Sequence, residues 1–198
     1  GFGSGWSFVP AILTNVLPWT SASCTIPGEY SGSYPYSVAA TIPGGRETFT
    51  FMGCGAGYSA DDPSYHSKLT RAANGMFTVT TKDRSSYTFA GNAVDDEFPL
   101  QRISDANNTS GISWTYTANN AVSAITDALS NKSITFTYDA GGRVSAATAP
   151  NGTVQYAYDG NGDLVSVTDP KGGVTRYLYS PGHLLKSITD RAGTKVID

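Results

Sequence analysis

The stretch Tyr138-Asp139-Ala140-Gly141-Gly142-Arg143-Val144 is answered 20 residues later by Tyr158-Asp159-Gly160-Asn161-Gly162-Asp163-Leu164. A tyrosine, an acid, a glycine-rich turn and a returning aliphatic residue at a fixed distance are the mark of an internal repeat. Carrying the register outwards adds Tyr116 and Tyr179, so that the four tyrosines are spaced 22, 20 and 21 residues apart. Two residues before each stands another aromatic, Trp114, Phe136, Tyr156 or Tyr177, and four before stands the β-branched Ile112, Ile134, Val154 or Thr175. That period of two spells a strand ending at the tyrosine. Six residues after it come Val122, Val144, Leu164 and Leu185, and ten after come Thr126, Thr148, Thr168 and Thr189, which fill a second strand.

Between the strands lie Ala118-Asn119-Asn120, Ala140-Gly141-Gly142, Gly160-Asn161-Gly162 and Pro181-Gly182-His183, residues that accept positive φ or preset a turn. Gly142 and Gly162 hold the same column. After each Thr come Asp127-Ala128, Ala149-Pro150-Asn151-Gly152, Asp169-Pro170-Lys171-Gly172 and Asp190-Arg191-Ala192-Gly193, again turns. A hairpin of roughly 20 residues cannot bury its own apolar face, so it is stable only when neighbours continue the sheet. The expected fold is all-β: antiparallel hairpins stacked into a curved sheet or shell segment over 110–198, about four units with the last incomplete. The columns Trp114/Phe136/Tyr156/Tyr177 and Tyr116/Tyr138/Tyr158/Tyr179 are expected to stack as aromatic ladders between units. Residues 46–109 read as a divergent β region, with strands at 47–51, 76–80 and 86–89. Residues 1–45, rich in Gly, Pro and Ser, read as an irregular cap whose Trp6, Phe8, Ile12, Leu13, Leu17 and Trp19 would cover the end of the sheet.

Composition narrows the partners. Of 198 residues only 15% are charged, 12% are aromatic, and there are 23 Thr and 22 Ser, a β-rich mixture typical of secreted surfaces. A net charge of −3 carries no nucleic-acid footprint. The most apolar segment, Phe8 to Trp19, is interrupted by Pro10, Asn15 and Pro18, so nothing reads as a spanning helix. The chain opens on Gly1 and stops inside a repeat, which reads as a piece of a longer protein. Cys24 and Cys54 are the only cysteines, and either a disulfide in an exported chain or two buried thiols accounts for them.

The two quoted units resemble the YD repeat of the rearrangement-hotspot (Rhs) family, whose relatives include teneurins and the cocoon subunits of insecticidal toxin complexes. Tyr179-Ser180 and Tyr116-Thr117 keep the spacing but replace the Asp. Gly3-Ser4-Gly5-Trp6 is similar to the segment that often opens such regions. The resemblance implies a bacterial, exported or cell-surface protein in which a long sheet spirals into a hollow shell around a C-terminal toxin or other cargo. It also draws attention to Asp169-Pro170-Lys171-Gly172, since family members close the core with two Asp-Pro-x-Gly motifs of a self-cleavage site. The next column reads Asp190-Arg191-Ala192-Gly193, and Asp169 is read here as a turn residue.

No residue pattern points to catalysis, a metal or a cofactor. Asp159, Asn161 and Asp163 alternate as in a calcium loop, but Leu164 and Pro170 stand where that loop needs Gly and Glu. Asp61-Asp62 and Asp95-Asp96-Glu97 read as solvated loops. His66 and His183 lie in turn-like contexts without a nucleophile motif. Tyr30, Tyr34, Tyr36, Tyr58 and Tyr65 could present a sugar-binding face or could be core, and Asn107, Asn108, Asn131 and Asn151 form sequons. The leading function is a non-catalytic shell segment whose partners are further repeats or the cargo, or another copy paired through sheet edges. The alternative is an extracellular carbohydrate-binding or adhesive module, and an enzyme stands third.

Overall fold

The computed structural model describes residues 12–15, 21–25, 31–42, 45–54, 56–91, 97–107 and 110–197. Apart from one 3-10 turn at Pro63–Tyr65, their regular elements are strands. The chain divides into two compact bodies, Val9–Thr115 with Asp127–Asn131, and Tyr116–Thr126 with Lys132–Asp198. Trp6, Phe8, Leu17, Trp19, Tyr30, Asp95, Asp96 and Asn108, with the side chains of Ile12 and Leu13, lie outside the described residues.

The N-terminal body holds β1 (Ile12–Asn15), β2 (Ser21–Thr25), β3 (Ser31–Pro35), β4 (Ser37–Ile42), β5 (Gly45–Phe51), β6 (Tyr58–Ala60), β7 (Lys68–Arg71), β8 (Phe77–Thr80), β9 (Ser86–Phe89), β10 (Glu97–Ser104) and β11 (Gly111–Tyr116). Antiparallel pairing runs β6-β5-β4-β1-β10-β9-β8-β7, with β2 and β3 as a separate hairpin. Strand β10 is long enough to serve two neighbours on one edge: Glu97–Pro99 pair with β1 and Arg102–Ser104 with β11, while the other edge carries β9. The register shifts between Leu100 and Arg102 where the neighbour changes. Strands β1 and β4, from the segment expected to be a cap, are thus laddered into the same sheet as β5 and β10.

Period-two alternation fixes which face is inside. Phe77 and Val79 of β8, Phe89 of β9 and Phe49 of β5 are fully buried while their neighbours alternate outward, and in β4 the run Val38, Ala39 and Ala40 is buried without alternation. Rings run in a chain through this core: Tyr34 stacks on Phe51 at 4.8 Å, Phe51 meets Tyr58 at 5.2 Å, Tyr58 meets Phe77 at 6.0 Å and Phe77 meets Phe98 at 4.9 Å. Cys24 and Cys54 form a disulfide across a Cα separation of 5.6 Å, with Cys24 packed in the same cluster as Tyr34 and Phe51.

Arg71, at the end of β7, is buried in this core. Its guanidinium donates to the carbonyls of Ser33 at 2.6 Å, Gly75 at 3.3 Å and Gly91 at 3.4 Å, and lies over the rings of Phe77 and Tyr34. A planar group with five donors can join three backbone segments and two aromatic faces at once.

The second body contains β12 (Val122–Asp127), β13 (Lys132–Tyr138), β14 (Val144–Ala149), β15 (Gly152–Tyr158), β16 (Leu164–Thr168), β17 (Val174–Ser180), β18 (Leu184–Thr189) and β19 (Lys195–Ile197). From β13 to β19 each strand pairs antiparallel with the next, the meander that the repeat columns imply. Four of the turns share one device. In Asp139, Asp159, Asp169 and Asp190, Oδ1 accepts the N–H groups two and four residues on, and the backbone closes with a left-handed glycine at Gly142, Gly162, Gly172 or Gly193. A short carboxylate mimics a turn carbonyl, and glycine takes the positive φ that a Cβ resists. Asp169-Pro170-Lys171-Gly172 is such a turn.

Candidate functional site

Side-chain joints between successive repeats are the chemistry-bearing feature of the second body. Its one sheet buries few apolar residues: among the described residues, Val122, Val144 and Leu164 are inside, each at the start of a returning strand. Tyr138 donates its hydroxyl to the carbonyl of Val122 at 2.6 Å, and Tyr158 donates to that of Val144 at 2.9 Å. Tyr138 and Tyr158 therefore each tie themselves to the backbone of the repeat before, at the first residue of its returning strand. The fourth member of the aliphatic column, Leu185, is 42% exposed. Burial pushes the Tyr116 and Tyr158 phenols up to about 12, with the Asp139 carboxylate adding at Tyr158, and raises Tyr138. Ring-on-ring ladders remain an expectation; the joints seen at Tyr138 and Tyr158 are hydroxyl-to-carbonyl bonds.

Arg143 strengthens one joint. Its Nε donates to Asp139 Oδ2 at 2.8 Å, its guanidinium lies 4.8 Å from the Tyr158 ring centre, and Nη1 reaches the Asp159 carbonyl at 3.5 Å. The backbone N–H of Arg143 first, then its guanidinium, hold the Asp139 carboxyl below the usual carboxylate range. Downstream, Arg191 donates to Asp169 Oδ2 at 3.2 Å, and the N–H groups of Gly173 and Lys171, followed by Arg191, lower that acid too. Gly152 makes a third kind of contact: a Cβ there would lie 2.6 Å from the Cβ of Pro170.

The next joint differs. Asp163 is buried, 6% exposed in its side chain, and its Oδ1 lies 2.7 Å from His183 Nδ1. His183 itself is half exposed and sits at φ 62° in the turn between β17 and β18. Beside the pair opens a cavity of about 560 Å³, lined by Asp159, Asn161, Asp163, Tyr177, Tyr179 and His183 among others. Two acids, an imidazole and tyrosine rings can receive a cationic or hydrogen-bonding group, but the set has no nucleophile held by a base. Among the described residues, no three of His, Cys, Asp and Glu gather as metal ligands.

The other residues singled out from the sequence fall into structural places. His66 caps the 3-10 turn at φ 54°, its Nδ1 2.8 Å from the Ser64 carbonyl, and Asp62 accepts the Ser64 N–H at the opposite end. Asp61 accepts from Thr50 at 2.8 Å. Tyr34 is buried and Tyr58 half-buried in the N-terminal core, its hydroxyl bonded to the Pro35 carbonyl at 2.9 Å, whereas Tyr36 and Tyr65 are exposed on different elements. These four do not form one row. Trp114 is buried, and its indole N–H has no acceptor among the described residues. Sequence reasoning missed Arg71, the Arg143 bridge and the Asp163–His183 pair; only the charged residue at Tyr+5 in two repeats hinted at the last two.

Residues 116–154 and 158–195 match the RHS Repeat family model, two copies in succession. The array is therefore an Rhs, or YD-repeat, array. No curated protein matches the chain. A solved structure titled "Crystal Structure of TcdB2-TccC3-TEV" is similar at 15% identity with a TM-score of 0.41, covering 81% of this chain and 10% of that one. The present chain thus spans a tenth of that polypeptide, and a likeness of this degree adds nothing to the fold described above.

Proposed function

We propose that the chain is a non-catalytic wall segment of an Rhs/YD-repeat β-shell, whose work is to enclose or present a toxin or other cargo of its parent protein. One observation carries the reading: two successive repeats are each tied to the preceding one by a side chain that reaches the preceding backbone, Tyr138 to Val122 and Tyr158 to Val144, which supports an array held together by continuation instead of by a closed core. Such a sheet grows without limit and leaves its faces free to line or display something. The Cys24–Cys54 disulfide supports an oxidising, exported setting. Rhs membership supports further repeats as neighbours.

Limited proteolysis of the parent polypeptide tests this. Any region downstream of the array should resist cleavage in the intact protein and be cut when expressed alone, and Tyr158→Ala should restore cutting. Equal cleavage in both contexts would remove the enclosing role. A presenting role further requires that the exposed cargo be bound by antibody in the intact protein.

A further inference from the structure

We propose that the β2–β3 hairpin is a flap and that the Cys24–Cys54 disulfide is its releasable clasp, opened by a thiol that attacks the Cys54 sulfur. Strands β1 and β4 lie side by side in the large sheet of the N-terminal body, Ile12 opposite Thr41 and Asn15 opposite Val38, yet the chain between them leaves that sheet. It forms β2 and β3, which among the described residues pair only with each other. A two-stranded hairpin alone is marginal in water, so this one depends on what holds it against the body. Tyr34 stacks on Phe51 at 4.8 Å, the Tyr58 hydroxyl donates to the Pro35 carbonyl at 2.9 Å, and Arg71 Nη1 donates to the Ser33 carbonyl at 2.6 Å. All three grip β3. Strand β2 is joined to the body through β3 and through the bond from Cys24 to Cys54.

The two half-cystines differ in access. Cys24 is 5% exposed and packs with Tyr34 and Phe51. Cys54 is exposed, in the turn that joins β5 to β6, where the N–H groups of Ala56 and Gly57 return to the Gly53 carbonyl at 3.1 Å. A thiolate attacks the sulfur it can reach, so access directs it to Cys54. The bond between the incoming sulfur and Cys54 forms, the Cys54–Cys24 bond breaks, and Cys24 leaves with the electron pair and takes up a proton. The second thiol of a dithiol reductant then displaces Cys54 in turn. The two protons of the dithiol end on the two cysteines, and the reductant is oxidised to its cyclic disulfide. With the clasp open, β2 is held by β3 alone, and lifting the hairpin bares the Phe51 ring, 3% exposed in the closed form, with Tyr58 beside it at 5.2 Å. Reduction thus uncovers an aromatic surface that an oxidising setting keeps shut.

Two measurements on the unsubstituted chain test this. In the first, the protein is treated with glutathione without denaturant, quenched with an alkylating reagent and mapped by mass spectrometry. Glutathione should be found on Cys54 and the alkyl group on Cys24. Glutathione on Cys24, or reaction only once urea has unfolded the body, would overturn the assignment of the reactive sulfur. In the second, hydrogen exchange is followed with and without dithiothreitol. The amides of β2 and β3 should exchange roughly a hundredfold faster in the reduced protein than in the oxidised one, and well before those of β8 and β9. Hairpin amides that exchange no faster than β8 and β9 after reduction would show that the body opens as one unit, and the flap would be refuted.

Discussion

Tyr158 is the place to measure what joins one repeat to the next, because three separable interactions meet there. Its hydroxyl bonds to the Val144 carbonyl at 2.9 Å, its ring is half-buried, and Arg143 lies over its face at 4.8 Å. Tyr158→Phe removes only the hydroxyl. It should cost about 1 to 2 kcal/mol, the net value of a hydrogen bond plus part of the penalty for a carbonyl left without that donor. Tyr158→Ala also removes the ring. Complete burial of an aromatic is worth about 3 to 5 kcal/mol on truncation, so a half-buried ring gives about 2, and the guanidinium contact adds about 0.5 to 1. The alanine variant should therefore lose about 4 kcal/mol in all by these values. Urea unfolding followed by circular dichroism reads both, with hydrogen exchange of the β15 amides to place the loss in the joint. A double-mutant cycle with Arg143→Met should show coupling of about 0.5 to 1 kcal/mol for alanine and almost none for phenylalanine. Equal midpoints for Phe and Ala would show that the ring does not hold the joint, and two wild-type midpoints would refute the hydrogen bond as well.

In the N-terminal body, Cys24→Ser with Cys54→Ser, or reduction, opens a loop spanning 30 residues and should cost about 3 to 4 kcal/mol on a chain-entropy estimate, seen as a lower urea midpoint; an unchanged midpoint counts against it. Arg71→Met strips donors from the carbonyls of Ser33, Gly75 and Gly91 and should cost about 3 kcal/mol or more, with Arg71→Lys recovering little of it, as thermal melts would show. Gly152→Ala combines a φ of 129° with a Cβ 2.6 Å from Pro170 and should cost about 2 kcal/mol or more by calorimetry. At high pH the phenols of Tyr116 and Tyr158, raised to about 12 when folded, ionise first in the unfolded chain near pH 10. The stability they contribute is therefore complete below about pH 10 and is lost as pH rises through 12, so tyrosinate absorbance and loss of β dichroism should rise together, with a smaller slope in Tyr158→Phe.

The second body was legible because its information is local and repeated. Tyr116, Tyr138, Tyr158 and Tyr179 give the register, and the interposed Asn and Gly residues give the turns, so the strands β13 to β18 follow from period-two reading alone. Strands β5, β8 and β9 were legible for the same reason. What the sequence withheld is pairing at long range: nothing near Ile12 says that β1 should sit between β4 and β10, and nothing near Arg71 says that its partners are 38 and 20 residues away. A buried arginine reads in sequence like any surface cation, since its cost is met only by carbonyls that the fold brings in. His183 is a similar case, a residue in a Pro-Gly turn whose meaning depends on Asp163 across one repeat.

The aspartate of the YD pair shows how one residue can be both invariant in role and variable in use. Oδ1 is committed to the turn in Asp139, Asp159, Asp169 and Asp190, and Thr117 Oγ1 stands in for it by accepting the Ala121 N–H at 3.1 Å. That need is met by any short oxygen acceptor, which is why threonine can replace Asp without disturbing the spacing. Oδ2 has no part in the turn. It takes Arg143 at Asp139 and Arg191 at Asp169, while at Asp159 and Asp190 it has no partner among the described residues. Each Asp-turn therefore offers an acceptor at the side of the sheet whose occupancy is decided by a residue elsewhere: Tyr+5 in one case, the following turn in another. Where an arginine of the chain fills it, the repeats are cross-linked and the position is structural. Where the chain places an acid instead, as at Asp163, a histidine from the turn of the following repeat, His183, takes up the contact at 2.7 Å.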